Sequence, residues 1–282
     1  MGRLIGLRLG GVVLVSLALG GLLGLTLGPV APRLAAQATG SVGWFTDTLT
    51  HTLYIPLVTN FIEIDPCAPI PGTSYGQLGI TNAPTERPAA DHPDMNLAIR
   101  GYAPIDAPLT LVDYAGPTDA RAPQLDTLFA TPRLPTFTRA FQVHHWDWET
   151  MSRGPVITTP DVTLLGMAVN PGDTVHVPDS GYDIQYEYDA LVLYASRERI
   201  TLHYGREDHP GLGYVVHIEG ICVEPSLLAL YESLNAAGRW ELPAVYGGQP
   251  IGRAWGDSID VSIRDTGAFM DPRARKDWWK AH

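Results

Sequence analysis

Residues 141–150, FQVHHWDWET, bring together residue types that often bind metal ions in proteins. Alternate side chains of an extended strand share a face, so His145, Asp147 and Glu149 point to the same side. His145 and Asp147 are close enough to reach one ion, and Asp260 is a candidate third ligand. Such a His-Asp-Asp set is rich in oxygen and suits zinc, manganese or calcium. The stretch is therefore a candidate metal site.

The same stretch also fits an ordinary strand that binds no ion. Its other face carries His144, Trp146 and Trp148, and large aromatic side chains tend to pack inward. In that case the face with His145 and Asp147 is solvated. We favour this interpretation, so the sequence predicts a packed strand and no cofactor, with one zinc or other divalent metal ion as the alternative.

The amino terminus is typical of an export signal. Arg3 and Arg8 precede an uncharged apolar run at 9–31, and the AQA tripeptide at 36–38 matches the small-x-small pattern that signal peptidase cuts. The run is long for a signal peptide, and about 20 apolar residues can also span a bilayer as an uncleaved anchor. Residues 1–38 are thus predicted to be a signal peptide or a membrane anchor. Both place the rest of the chain in the cell envelope or outside the cell.

The charge of the chain limits its partners. It contains 30 acidic residues against 19 lysines and arginines, a net charge of −11. Such a field repels a phosphate backbone and an anionic membrane surface, so we expect no nucleic acid partner. Contact with a membrane is expected only through residues 1–38, if they are not cleaved. A cell-wall component or an envelope protein is the expected partner.

The chain has two cysteines, Cys67 and Cys222. An even number of cysteines in an oxidising compartment predicts a disulfide, and two buried free thiols are the alternative. A disulfide between them would close a loop of about 155 residues, for which the chain-entropy model gives a stabilisation of roughly 5 kcal/mol.

Composition and turn residues predict a mainly β protein. The chain has 24 prolines and 29 glycines between short runs rich in Val, Ile, Thr and Tyr, a pattern typical of strands joined by turns. Residues 39–95 are predicted to be an extended segment and a Pro-rich loop, followed by a β region at 96–158. A second β region, 159–272, contains one helix at about 225–237, with a proline in its first turn and a glycine after its end.

The tail at 273–282 combines basic residues with two adjacent tryptophans, Trp278 and Trp279. Paired aromatic rings stack on flat apolar faces, so both are candidate binding residues for a partner or a sugar. Alternatively, the tail folds back and covers one end of the β domain.

Two stretches of the second β region carry a resemblance to a known family. They are NPGDTVHVPDSGYDI, at 170–184, and GGQPIGRAWGDSIDVSIRDTGAFMDP, at 247–272. The first is similar to a turn and strand of the lysostaphin-type, LytM-like zinc endopeptidases, and the second resembles the closing segment of that family. The resemblance covers roughly residues 160–272. It implies an antiparallel β-barrel or sandwich (a barrel-sandwich hybrid) with a groove lined by one strand face, and zinc-dependent cleavage of peptidoglycan peptides.

The residues at the family's ligand positions depart from its pattern. When Ile263 and Arg264 are aligned with the family's closing Ile-Arg, Ser258 and Asp260 fall where the family has two histidines. Serine cannot act as an imidazole base near neutral pH, and aspartate changes both charge and reach at zinc. His217 is one residue out of step with a strand histidine that assists the attacking water. The resemblance therefore implies a peptidase-like domain without its zinc centre, with His217 and Ser258 near the former catalytic positions.

We therefore expect an exported cell-envelope protein whose peptidase-like β domain is not catalytic and acts as a binding or regulatory module for cell-wall peptide, glycan or a protein. An active metal-dependent peptidoglycan endopeptidase, using His145, Asp147 and Asp260, is one alternative. A structural surface-layer component is the other.

Overall fold

The computed structural model describes residues 35–37, 52–54, 65 and 67–282, and the chain divides into two units, Met1–Glu63 and Ile64–His282. In the first unit β1 (Ala35–Gln37) pairs antiparallel with β2 (Thr52–Tyr54). The predictions for the export signal and for most of the extended segment after it lie outside the described residues. Among those that are described, no helix has the length and apolar character needed to cross a membrane.

The second unit consists mainly of short strands. They are β3 (Gly76–Gly79), β4 (Tyr102–Ile105), β5 (Phe137–Asp147), β6 (Ser152–Val156), β7 (Leu164–Ala168), β8 (Thr174–His176), β9 (Ala190–Ser196), β10 (Arg199–His203), β11 (Tyr214–Glu219), β12 (Ile221–Val223), β13 (Glu241–Val245), β14 (Pro250–Ala254), β15 (Ser258–Asp265) and β16 (Ala268–Met270). The helices are α1 (Leu97–Arg100), α2 (Pro225–Ala236) and α3 (Arg275–Trp278), with 3-10 turns at Ala89–Asp91 and Leu125–Leu128.

Eleven of these strands form one large sheet, in the order β3-β13-β9-β10-β11-β15-β7-β5-β4, with β16 beside β15 and β6 beside β5. A second sheet has the order β12-β14-β8. All these pairs are antiparallel. The large sheet does not close on itself, so the architecture is sandwich-like. The predicted mainly antiparallel β fold is confirmed, as a sandwich and not as a closed barrel.

The large sheet contains strands from three segments that the sequence predicts as separate: the Pro-rich loop and the two β regions. Its edge strand β3 comes from the predicted Pro-rich loop and pairs with β13. Strands β4 and β5, from the first β region, continue the sheet beside β7 of the second. The two β regions therefore share one sheet.

The two faces of the large sheet differ in chemistry where β10, β11 and β15 meet. One face is apolar and belongs to the main core, with Ile200, Val216, Ile218, Val261 and Ile263 all buried. The opposite face, here called the polar face, carries Arg199, Thr201, His217, Glu219, Asp260, Ser262 and Arg264. Two rows of these residues are paired across the three strands, Arg199–Glu219–Asp260 and Thr201–His217–Ser262. A sheet with one apolar and one polar face usually exposes the polar one to water. Here much of it is covered instead.

The chain segment between Asp94 and Tyr102 covers the polar face. Asp94 forms an ion pair with Arg264 at 3.1 Å, and the backbone carbonyl of Met95 accepts a hydrogen bond from the Thr201 hydroxyl at 2.6 Å. At the other end of the segment, the Tyr102 hydroxyl donates to Glu219. Of the seven residues of the polar face, Arg199 alone is not buried, so the face is open at its Arg199 end.

Helix α2 begins and ends as its sequence predicts, within one residue. The Glu224 side chain caps its first turn by accepting from backbone amides, including that of Leu227 at 3.0 Å, and Pro225 needs no partner at this position. Leu227 and Tyr231 are buried against the core. After the helix, Gly238 has a φ of +98°, a value that favours glycine.

The predicted disulfide is present. Cys67 and Cys222 are bonded and close a loop with a sequence separation of 155. Cys222 lies in β12, so the bond ties the beginning of the second unit to the smaller sheet.

The carboxyl-terminal tail folds back into the core. Trp278 is 1 % exposed and Trp279 is fully buried. Their indole N–H groups donate to the backbone carbonyls of Asp271 and Pro272 at 2.9 and 2.8 Å. In this arrangement neither ring presents a surface to a partner, so the hypothesis that both tryptophans bind one stays a prediction that this structure does not support. The alternative, a tail that covers one end of the domain, describes the structure.

Candidate functional site

A row of charged side chains crosses the polar face. Arg199 of β10 is paired with Glu219 of β11, and Glu219 with Asp260 of β15. Next along the row come Gly166 of β7 and Arg139 of β5. Side chains of directly paired residues in antiparallel strands lie about 5 Å apart, so the two carboxylates are immediate neighbours.

Asp260 is held by Arg139, which reaches it across β7. The Nε and Nη2 atoms of Arg139 each donate to one carboxylate oxygen of Asp260 at 2.9 Å. Gly166 makes this possible, because a Cβ atom there would lie 2.4 Å from the Cγ atom of Arg139. The hydrogen bonds to Asp260 raise the pKa of Arg139. A two-point pair of this kind is strong and directional, so both Asp260 oxygens are engaged.

Glu219 is less completely satisfied. It is 4 % exposed, and its Oε2 atom accepts from the Tyr102 hydroxyl at 2.8 Å. Its Oε1 atom is 3.5 Å from Arg199 Nε, yet neither atom has a hydrogen-bond partner among the described residues. Burial raises the pKa of Glu219, although Arg199 acts in the opposite direction. A buried acceptor without a donor costs stability, so a further donor at this point would be favourable.

A concave opening of about 320 Å³ lies over the Arg199 end of the row. We call it the carboxylate cleft; its side chains include Tyr102, Glu198, Arg199, Glu219, Trp255 and Asp260. Trp255 is 48 % exposed, and its backbone amide donates to the Gly220 carbonyl at 2.9 Å. The carboxylate of Glu198 is exposed and has no partner within residues 67–282. The cleft thus combines an aromatic side chain with carboxylates that retain unused acceptor capacity.

His217 lies deeper on the polar face, in a buried cluster. Its Nδ1 atom is 3.0 Å from the hydroxyl of Thr201, which gives its own hydrogen to Met95, so Nδ1 is the donor. Nε2 has no partner among the described residues. Burial, together with the positive charge of Arg264, lowers the pKa of His217 to about 3. The ring is therefore neutral near pH 7.

Asp94 joins this cluster to the covering segment. It forms ion pairs with Arg100 and Arg264, both buried. Burial by itself would raise the pKa of Asp94, but Arg264 and Arg100 outweigh it and hold the pKa below its ordinary value. The cluster separates His217 from solvent, so the catalytic role that the resemblance implies for His217 would require this segment to move.

The candidate metal ligands do not come together. His145 and Asp147 are exposed at the end of β5, where Asp147 accepts hydrogen bonds from the amides of Glu149 (2.8 Å) and Thr150 (3.1 Å). Asp260 is bound to Arg139, six residues before His145, which corresponds to roughly 20 Å along the strand. Among the described residues, no group of three or more His, Cys, Asp or Glu side chains is arranged to hold a metal ion.

The strand interpretation of FQVHHWDWET agrees with its observed structure. Residues up to Asp147 belong to β5, and His145 and Asp147 face outward. The opposite face packs only in part, because Trp146 is half-buried whereas Trp148 is 46 % exposed. Trp148 lies beside the ring of His92, with 5.5 Å between the ring centroids.

Ser258, at the start of β15, lies close to the hydroxyl of Thr138, with 2.9 Å between the two oxygens. It has no imidazole partner among the described hydrogen bonds, so its surroundings provide no base for the hydroxyl.

Tyr102, Glu219 and Trp255 are not among the site residues predicted from the sequence. A usable signal was the alternation in YVVHIE and SIDVSIRD, where polar residues occupy every second position of otherwise apolar strands. This pattern predicts a second, polar face of the sheet.

Comparisons with protein-family models, curated proteins and solved structures find no match for this chain. Its function is therefore argued from the geometry of the polar face.

Proposed function

We propose that this chain is an exported cell-envelope protein that binds a cell-wall component without catalysis, and that the carboxylate cleft is its binding site. The observation that carries the proposal is the cleft itself, which places a half-exposed Trp255 beside the buried, incompletely hydrogen-bonded Glu219. Ligand sites are usually concave, with aromatic side chains and a few polar groups that orient the ligand.

The contacts around the cleft favour binding over hydrolysis. Both oxygens of Asp260 are engaged by Arg139, and Glu219 already accepts a hydrogen bond from Tyr102. His217, the nearest imidazole on the polar face, is buried. Because the groups that would activate a water are paired with one another or covered, we rank the metal-dependent endopeptidase behind a binding module.

Two further features support the proposed setting and the proposed class of partner. The Cys67–Cys222 disulfide is of a kind that persists in oxidising compartments. The excess of acidic residues disfavours nucleic acid and anionic membrane surfaces as partners.

The proposal is tested by co-sedimentation of the purified protein with purified peptidoglycan sacculi. We expect saturable binding that Trp255→Ala weakens by about 3- to 10-fold, because an aromatic contact contributes about 0.5–1.5 kcal/mol. Trp240→Ala is the matched control, since Trp240 is 64 % exposed and lies outside the cleft. Wild-type protein that stays in the supernatant would refute binding to the cell wall, and equal binding by Trp255→Ala would refute the cleft as the site.

A further inference from the structure

We propose that the carboxylate cleft binds a primary ammonium group on an aliphatic chain, such as a lysine side chain of a peptide, an inference that rests on the proposed binding function. The hydrogen-bonding capacity, the charge and the aromatic surface of the cleft each fit such a group.

The cleft has more free acceptors than free donors. Among its lining side chains, the exposed Glu198 carboxylate and the Oε1 atom of Glu219 accept no hydrogen bond within residues 67–282, whereas Nε of Arg199 is a free donor. Asp260 is already engaged by Arg139. The hydroxyl of Tyr102 already donates to Glu219. An ammonium group has three donors and no acceptor, whereas a sugar hydroxyl also needs a donor from the protein. The inventory therefore matches an ammonium better than a hydroxyl.

Glu219 provides the unmet acceptor. The side chain is more than nine-tenths buried, and its Oε1 atom lacks a hydrogen bond although Arg199 Nε is 3.5 Å away. Glu198, at the cleft wall, has a solvent-exposed carboxylate. A donor placed between Glu198 and Glu219 would be shared by an exposed and a buried acceptor, and charge-assisted hydrogen bonds of this kind are the stronger ones.

The charge around Glu219 also favours a cation. Burial is the main reason why the pKa of Glu219 is raised, and the negative charges of Asp260 and Glu198 raise it further. Arg199 and the hydrogen bond from Tyr102 oppose this effect without cancelling it. A bound cation would therefore reduce an existing repulsion among carboxylates.

Trp255 provides the surface for the aliphatic part of the ligand. The guanidinium carbon of Arg197 lies 5.4 Å from the centroid of the Trp255 ring, so this ring already interacts with a cation. A cation over an indole is attracted by the negative face of the ring, and the methylene groups of a long side chain can pack on the same surface.

The test is calorimetric titration of the purified protein with Nα-acetyl-lysine amide. The matched ligand is Nα-acetyl-norleucine amide, which keeps the aliphatic chain and lacks the ammonium. We expect saturable binding of the lysine compound only. Glu198→Gln and Trp255→Ala should each weaken it by about 5-fold, an effect typical of one charge or one cation–π contact at a partly exposed site.

Two exposed residues outside the cleft provide control variants. Glu232→Gln, on α2, removes one negative charge, and Trp240→Ala removes one exposed indole. Both should leave binding of the lysine compound unchanged. An equal loss in Glu232→Gln would mean that the overall negative charge attracts the ligand, and it would overturn the ammonium site.

The outcomes separate this inference from the proposed function. Equal binding of the norleucine compound, or Trp255-dependent binding of chitotriose without binding of lysine, would overturn the ammonium site while the cleft remained a binding site. Binding of the lysine compound without binding to sacculi would keep the ammonium site and overturn the cell-wall assignment. If the protein bound neither the lysine compound nor sacculi, the ammonium site and the cell-wall assignment would both be overturned.

Discussion

Glu219 and Asp260 show how their surroundings give two neighbouring carboxylates different chemistry. Although they are paired across β11 and β15, Asp260 has a two-point partner in Arg139, whereas Glu219 has one hydrogen bond from Tyr102 and one buried oxygen without any. Burial raises the pKa of Glu219. The unused hydrogen-bonding capacity therefore lies at the Oε1 atom of Glu219, and the proposed binding of an ammonium group depends on that atom.

The burial of His217 should make the stability of the folded protein depend on pH. Burial lowers its pKa to about 3, whereas an unperturbed histidine titrates near 6.5. Between these values the unfolded chain binds a proton that the folded protein does not, so stability is present at neutral pH and is lost as the pH falls through this window. The expected contribution of His217 is up to about 1.4 kcal/mol per pH unit.

Urea unfolding of wild type and His217→Gln, at about pH 6.5 and about pH 4.5, measures this contribution. The free energy of unfolding should fall by about 2 kcal/mol more in the wild type than in the variant, because glutamine does not titrate. His92, whose pKa burial lowers to about 4, is present in both proteins and cancels in the comparison. The same pH dependence in both would show that His217 is not held neutral by the fold.

At the scale of the strand, β7 connects the two halves of the charged row. It lies between β15 and β5, and at Gly166 it presents no side chain, so Arg139 can cross it to reach Asp260. A strand glycine often marks a place where another group approaches closely. Gly166 is such a place, and the ion pair on the polar face depends on it.

Gly166→Ala should therefore break the Arg139–Asp260 pair. The new Cβ atom would lie 2.4 Å from Arg139 Cγ and 2.7 Å from Thr138 Oγ1, so both side chains must move. We expect a loss of about 1–3 kcal/mol in the free energy of unfolding, because a buried carboxylate loses its partner. Chemical denaturation measures it, with Gly256→Ala as the control, since nothing lies within 4 Å of the Cβ position there. Equal stabilities of the two variants would contradict this reading of Gly166.

At the scale of the whole second unit, two long-range connections fix its first and last residues to the β structure. The disulfide joins Cys67 to β12, and the tail returns to bury Trp278 and Trp279 in the core. The covering segment, with Asp94 and Tyr102, lies between these ends and against the polar face. The covering segment supplies Tyr102 to the cleft, whose other lining residues come from 198–260.

Removal of the disulfide should destabilise the unit without changing its fold. The paired substitution Cys67→Ala/Cys222→Ala releases a loop with a sequence separation of 155, and the loss of a native disulfide typically costs about 2–5 kcal/mol. Guanidinium unfolding of the oxidised protein and the double variant measures the difference. Coincident unfolding curves would show that the bond constrains neither state.

Much of the fold could be predicted because it depends on local sequence. The antiparallel β class follows from short β-rich runs between turns, and helix α2 from its apolar spacing, the proline in its first turn and the glycine after it. FQVHHWDWET was correctly interpreted as a strand for the same reason, since alternation along a strand is a property of neighbouring residues. The disulfide could be predicted from the count of two cysteines together with the expectation of an oxidising compartment.

By itself, the sequence of this protein determined its fold class, its main helix, its disulfide and which side chains share a strand face. Only the tertiary structure decided which strands are neighbours and which faces are covered. Asp260 meets Arg139 because β7 separates β15 from β5, and Glu219 meets Tyr102 because the covering segment crosses the polar face, each over more than a hundred residues of chain. Local periodicity carries no information about such pairings, since they depend on how all the elements pack together. For the same reason Trp278 and Trp279, which as a sequence resemble a binding tail, are core residues in the folded protein.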